Sequence, residues 1–146
     1  MRIVIDTREQ QPWAFRRDMA DTCRGTLKAG DYALDGDDGF AIERKSLDDF
    51  VGTVSSGWDR FRRELVRMSE AQFPARVVIV EADWMDVIDR HYNHPEVSPH
   101  FVLLRLAELT LDGVLVLWCS NRTAAAGLAW KILAVREKML GGEDDN

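Results

Sequence analysis

Two carboxylates and an ammonium fall close together in the stretch 30–49, GDYALDGDDGFAIERKSLDD: Asp31, Glu43 and Lys45. The pattern predicts a strand opened by Asp31, an acidic turn, a second strand with Glu43 and Lys45 near its end, and then a helix start. Residues two apart in a strand point to the same side, roughly 6.6 Å from one another. Glu43 and Lys45 should share one face, with Arg44 on the other, and a hairpin should bring Asp31 alongside. Hard divalent cations such as Mg²⁺ take oxygen ligands, commonly one or two carboxylates together with substrate phosphates. Such a site suits hydrolysis of a phosphodiester, with the lysine positioning water or offsetting developing charge.

A solvated reading competes with this one. An acid-rich turn followed by a mixed-charge strand end is common on protein surfaces, and short motif matches carry false positives. The order of signals weighs against it: Gly30-Asp31-Tyr32, then Glu43-Arg44-Lys45 behind the apolar run 40–42 (Phe-Ala-Ile), then Asp49 three residues beyond Ser46. Ser46 suits an N-cap, and Asp48 and Asp49 suit the first turn of a helix dipole, which is a complete structural role for Asp49. Asp35-Gly36-Asp37-Asp38-Gly39 is a hairpin tip by its turn chemistry, and it fails the calcium-loop pattern.

These residues need a scaffold, and the hydrophobic pattern supplies one. Residues 2–6 predict a short buried strand ending on Asp6, whose carboxylate could either reach the same cation or cap the following turn. Residues 7–29 look irregular, with Pro12 as a breaker and Trp13 and Phe15 anchoring the loop. After a polar break over 52–57, the spacing predicts a helix from Trp58 to about Gln72. Trp58, Phe61, Leu65 and Met68 form its apolar stripe. Arg60, Arg63 and Arg67 line the far side, as a solvated face or as phosphate contacts. Pro74 ends that segment, and RVVIVE (76–81) reads as a central strand covered on both faces. Residues 83–92 suggest a short helix. Ser98-Pro99 starts another that runs to about Leu111, and VLVLWC (114–119) is a second core strand. A long helix from Asn121 to Leu140 should bury Leu128, Ile132, Val135 and Met139, stop at Gly141-Gly142 and leave an acidic tail. The expected fold class is α/β, a mixed central β-sheet flanked by helices, in one domain over 1–140 with a flexible tail over 141–146.

The chain has 146 residues, enough for one core, and a net charge of −6. That charge argues against a generic nucleic-acid coat but suits a site of clustered carboxylates. Arginine supplies 15 of the 19 basic residues, and its fork matches phosphate bidentately. Apolar runs are too short to cross a bilayer, and no basic-then-apolar leader is expected, so a cytoplasmic protein follows. Cys23 and Cys119 are expected to be free thiols. His91, His94 and His100 match no zinc spacing and are expected to be loop residues.

Gly30-Asp31-Tyr32 and Glu43-Arg44-Lys45-Ser46-Leu47-Asp48-Asp49 resemble the GDY and ERKxxxD signature of the XPF-type structure-selective nucleases. Val4-Ile5-Asp6-Thr7-Arg8-Glu9 resembles that family's first acidic strand, VDxRE, and Ser120-Asn121-Arg122-Thr123 its closing strand–helix junction. The resemblance implies a restriction-endonuclease-like core and a DNA endonuclease dependent on Mg²⁺ or Mn²⁺. Its metal ligands would be Asp31, Glu43 and Asp6, and Lys45 and Arg44 would belong to the catalytic set. Arg8, Glu9 and Asp49 would support them, and Arg60, Arg63 and Arg67 would meet DNA. The best-known members carry a tandem helix-hairpin-helix domain after the nuclease domain, for which no room is expected here after Leu140. DNA affinity would then come from this domain, from a partner protein, or from a homodimer through the apolar region 114–140, where Ala124, Ala125, Ala126, Ala129, Trp130 and Ala134 widen the apolar surface. Two other readings remain: a non-catalytic DNA-binding or scaffolding module on the same fold, and a metal-dependent hydrolase of RNA or nucleotides.

Overall fold

The computed structural model describes residues 1–70 and 75–143, with side chains omitted at 68–70, 75 and 143. The expected roles of Met68, Gln72, Pro74 and the tail beyond 143 lie outside that description. Six strands form one sheet in the order β2-β1-β3-β4-β5-β6. They are β1 (Arg2–Asp6), β2 (Asp21–Gly25), β3 (Tyr32–Leu34), β4 (Phe40–Lys45), β5 (Ala75–Val80) and β6 (Leu115–Trp118). The helices are α1 (Leu47–Val54), α2 (Trp58–Glu70), α3 (Trp84–Ile88), α4 (Pro99–Leu111) and α5 (Arg122–Glu143). β3 runs antiparallel to both of its neighbours, and the other pairings are parallel. The fold is therefore a mixed α/β sheet flanked by helices.

Alternation along the central strands divides the core in two. Ile42, Val77 and Ile79 face a layer closed by Ala125, Ala129 and Leu133 of α5. Val78 and Val80 face the opposite layer, built on Phe50, Val51, Trp58, Phe61, Val102 and Leu109 from α1, α2 and α4. Both faces of β5 are covered, as its unbroken apolar run requires.

Four expectations change. The stretch 7–29 contains β2, a polar strand (DTCRG) paired in parallel with β1 at the sheet edge. Its water-facing pattern carries no apolar alternation. α1 continues through Gly52 to Val54, because Phe50, Val51 and Val54 bury themselves against the sheet. α5 continues through Gly141 and Gly142 to Glu143. Its buried stripe is Ala125–Ala129–Leu133, fully covered, whereas Val135 and Met139 are 55% and 62% exposed. Small residues let this helix approach the sheet closely, so Leu128 and Ile132 are half-buried against the same core while Val135 and Met139 turn outwards. Cys23 and Cys119 are free thiols. Among the described residues no helix is long and apolar enough to cross a membrane.

Candidate active site

The antiparallel register of β3 and β4 pairs Tyr32 with Ile42, which sets Asp31 across from Glu43. The Asp31 N–H donates to the Ile42 carbonyl at 2.8 Å, and the Arg44 N–H donates to Asp31 Oδ2 at 2.8 Å. The close approach depends on Gly30. Its φ is +75°, and a Cβ there would lie 2.7 Å from Ala41 Cβ, a combination only glycine permits. Burial pushes the Asp31 carboxyl up to about 6. The Glu43 and Glu9 carboxylates add to that rise, against the pull of the Arg44 N–H and the Lys45 ammonium.

Glu43 lies between two cations. Lys45 Nζ is 3.5 Å from Oε1, and Arg76 Nε is 3.2 Å from Oε2. The second contact is within ion-pair distance but is not aligned as a hydrogen bond, so among the described residues Glu43 Oε2 and Arg76 Nε and Nη2 are buried without hydrogen-bond partners. Most buried polar groups find partners, and each exception calls for an explanation. Two hard oxygen donors on facing strands, one with an unbonded buried oxygen, fit a divalent cation of the Mg²⁺ type.

Asp6 is committed elsewhere. Its Oδ1 accepts from the Arg8 backbone N–H at 2.9 Å and from Arg8 Nε at 2.7 Å, while Oδ2 accepts from the Leu27 N–H at 2.8 Å. Burial alone would raise the Asp6 carboxyl, but these bonds outweigh it and hold it below its ordinary value. The expected trio of ligands is therefore not assembled. Among the described residues no group of three His, Cys, Asp or Glu side chains is placed to hold a metal ion. Asp6 instead anchors Arg8, whose exposed guanidinium senses the charges of Asp31 and Glu64 and so borders the site.

Arg44 points to the face opposite Glu43 and Lys45, as the two-residue period of a strand requires. Its guanidinium bonds to Glu81 and to the Gln11 carbonyl, and it sits 3.3 Å from Glu9 Oε2. Glu9 also accepts from the Tyr32 hydroxyl at 2.7 Å, that hydroxyl accepts from the Trp13 N–H at 2.8 Å, and the Trp13 indole N–H donates to Glu81 at 2.6 Å. Trp13 stacks on Tyr32 with ring centroids 4.5 Å apart. This closed network fixes the loop after β1 beneath the strand that carries the candidate ligands.

Asp49 is exposed in the first turn of α1, and its N–H donates to the Ser46 hydroxyl at 3.1 Å. Arg60, Arg63 and Arg67 are exposed on α2. Arg60 pairs with Glu64 at 3.7 Å, and Glu64 lies 3.9 Å from Arg76, so this stripe runs past the site. The histidines lie in loops or at a helix start: His91 pairs with Asp86, and His94 bonds the Asp48 carbonyl. Glu81, Glu64 and Arg76 are absent from the residues singled out by motif. The signal available for Glu81 was the one used for Asp6, an acid ending a core strand. The signal for Arg76 was a single cation heading an apolar strand.

A family model described as the ERCC4 domain matches residues 5–129. A search of curated proteins found no match. Among solved structures, XPF from Aeropyrum pernix is similar at 21% identity and a TM-score of 0.71, covering 93% of this chain and 61% of that one. The same protein in complex with DNA gives 23% identity and a TM-score of 0.70, covering 94% of this chain and 65% of that one. The chain thus spans under two-thirds of the length of the structures it matches.

Proposed function

The chain belongs to the ERCC4 domain family, and from that premise we propose that it is a DNA endonuclease hydrolysing phosphodiester bonds with Mg²⁺ or Mn²⁺. The observation that carries the reading is Asp31 facing Glu43 across β3 and β4, with Lys45 3.5 Å from Glu43. Asp31 and Glu43 would hold the cation. When bound, such an ion polarises a phosphoryl oxygen and makes water a nucleophile near neutral pH. The chain's own residues do the rest. The Arg44 N–H fixes Asp31, the Lys45 ammonium stands ready to orient the attacking water or to offset charge on the phosphate, and Arg44's side chain keeps β4 in place. Arg60, Arg63 and Arg67 contact backbone phosphates without reading sequence. A complex of the related archaeal protein with DNA supports this substrate class.

Self-association through the C-terminal elements belongs to the same proposal. Leu111 and Leu115 are 89% and 53% exposed. Phe40, Ile132, Val135 and Met139 line an apolar groove of about 460 Å³ between α5 and the start of β4, which Lys131 and Arg136 also line. A two-fold dimer would cover such surface and double the arginines offered to DNA. Sedimentation equilibrium at tens of micromolar should show a species of twice the 16.7 kDa chain mass; a single monomeric species removes this part.

The catalytic reading is tested by nicking of supercoiled plasmid in EDTA, Mg²⁺ or Mn²⁺. Metal-dependent nicking that disappears in Asp31→Asn and Glu43→Gln is the expected result. Equal nicking in EDTA, or by both variants, would refute it.

A further inference from the structure

Arg76 is the one cation heading β5, and its side chain is 5% exposed. Register pairs Ala41 with Arg76 and Glu43 with Val78. Arg76 therefore shares the face of Val78 and reaches Glu43 diagonally across the two strands. Its guanidinium lies 4.9 Å from the centre of the Phe61 ring and 3.9 Å from Glu64, both on α2. No motif named this residue, and the mechanism above makes no use of it. Nevertheless it places a full positive charge 3.2 Å from the Glu43 oxygen that has no hydrogen bond.

A guanidinium retained for structure alone would normally spend its fixed donors on hydrogen bonds when buried. This one leaves Nε and Nη2 unbonded and touches Glu43 only through charge. Such a contact neutralises the carboxylate without holding it rigidly. Glu64 supplies a second carboxylate on which the guanidinium can lean.

We propose that Arg76 is a positioning residue acting through Glu43: an internal cation that occupies the field of the same carboxylate oxygen a divalent ion would bind, and so sets the metal affinity of the site. This rests on the catalytic reading above. Repulsion between Arg76 and an incoming cation weakens binding, and Lys45 on the other oxygen does the same. The chain would therefore require more metal than its two carboxylates alone would demand.

The test is calorimetric titration of Mn²⁺ into the full chain, with no DNA. Wild type is compared with Arg76→Met, Arg76→Lys, Glu43→Gln and the Arg76→Met/Glu43→Gln pair. Thermal melts establish that each is folded. If Arg76→Met does not fold, Arg76→Gln, whose amide can still donate to Glu43, replaces it. The neutral variant should bind Mn²⁺ about tenfold more tightly or better, Arg76→Lys should stay near wild type, and the gain should vanish once Glu43 is also replaced. The neutral variant should also melt below wild type in EDTA and gain more from Mn²⁺ than wild type does, which loss of a merely structural contact would not produce. Wild-type Mn²⁺ binding with equal or weaker binding by the neutral variant overturns this proposal alone. Absence of Mn²⁺ binding in every protein overturns the metal site itself, and this proposal with it.

Discussion

The two faces of β4 carry similar amounts of charge and handle it in opposite ways. On Arg44's face, Glu9, Tyr32, Trp13 and Glu81 close a network in which donors meet acceptors. On Glu43's face, Lys45 and Arg76 approach within 3.5 and 3.2 Å, yet the Glu43–Arg76 contact leaves buried atoms unbonded. A satisfied buried network rigidifies a structure, whereas an unsatisfied one is costly to keep buried and calls for an explanation. One strand thus has a face whose charges are bonded to one another and a face that leaves buried polar atoms open.

The largest effect is expected from Glu43→Gln. It should lower plasmid nicking on the order of 10³-fold, measured at saturating Mn²⁺; near-normal nicking would mean the unbonded face does no chemistry. Arg44→Met addresses the other face. It removes the cation that the part-buried Glu81 and Glu9 carboxylates share, leaving them the Trp13 and Tyr32 donors, and should cost about 1.5–3 kcal/mol in urea unfolding. A loss below about 1 kcal/mol would show that the network is not structural.

Asp31→Asn sharpens the contrast through pH. Asp31 is raised from 3.8 to about 6 in the folded protein, so its protonation favours the fold. The stability it contributes is complete below 3.8 and is lost as pH rises through 6, leaving the charged form to weigh against folding. In EDTA at pH 8, Asp31→Asn should therefore be more stable than wild type by up to about 3 kcal/mol. The gain should shrink steadily towards pH 4. A variant less stable than wild type at pH 8 would reverse the argument. The smallest effects belong to α2: Arg60→Ala and Arg63→Ala should leave the unfolding midpoint nearly unchanged, and each should reduce the salt slope of DNA binding by about 1.

The β3–β4 site was readable because its information is local. A hairpin, a two-residue period and a turn place Asp31, Glu43 and Lys45 within 15 residues. Glu81 and Arg76 were not readable in the same way. Their contacts to Arg44 and Glu43 exist because β5 lies beside β4 in parallel, and that neighbourhood is a property of sheet order. β2 was missed because an edge strand facing water needs no apolar alternation. Half of the expected α5 stripe was misjudged because size was taken as the mark of burial: Leu128 and Ile132 pack on the core, but Ala125 and Ala129 lie nearest the sheet and Val135 and Met139 face water. Asp6 ends a core strand, which left a cation and the following turn equally open to it, and resemblance to an acidic family strand grouped it with the ligands. Which partner such an acid meets, Arg8 or a cation, depends on a loop whose path the pattern does not encode.

Gly30 has a consequence for the kinds of change a lineage carrying this chain can tolerate. Its backbone angle and the 2.7 Å approach to Ala41 leave no room for any side chain. Gly36 and Gly113 share the positive φ but have nothing within 4 Å of an added Cβ. In a saturation library selected only for soluble protein, positions 36 and 113 should admit asparagine and aspartate, which tolerate that backbone region. Position 30 should return one letter. The site is thus pinned at a residue that contributes no functional group.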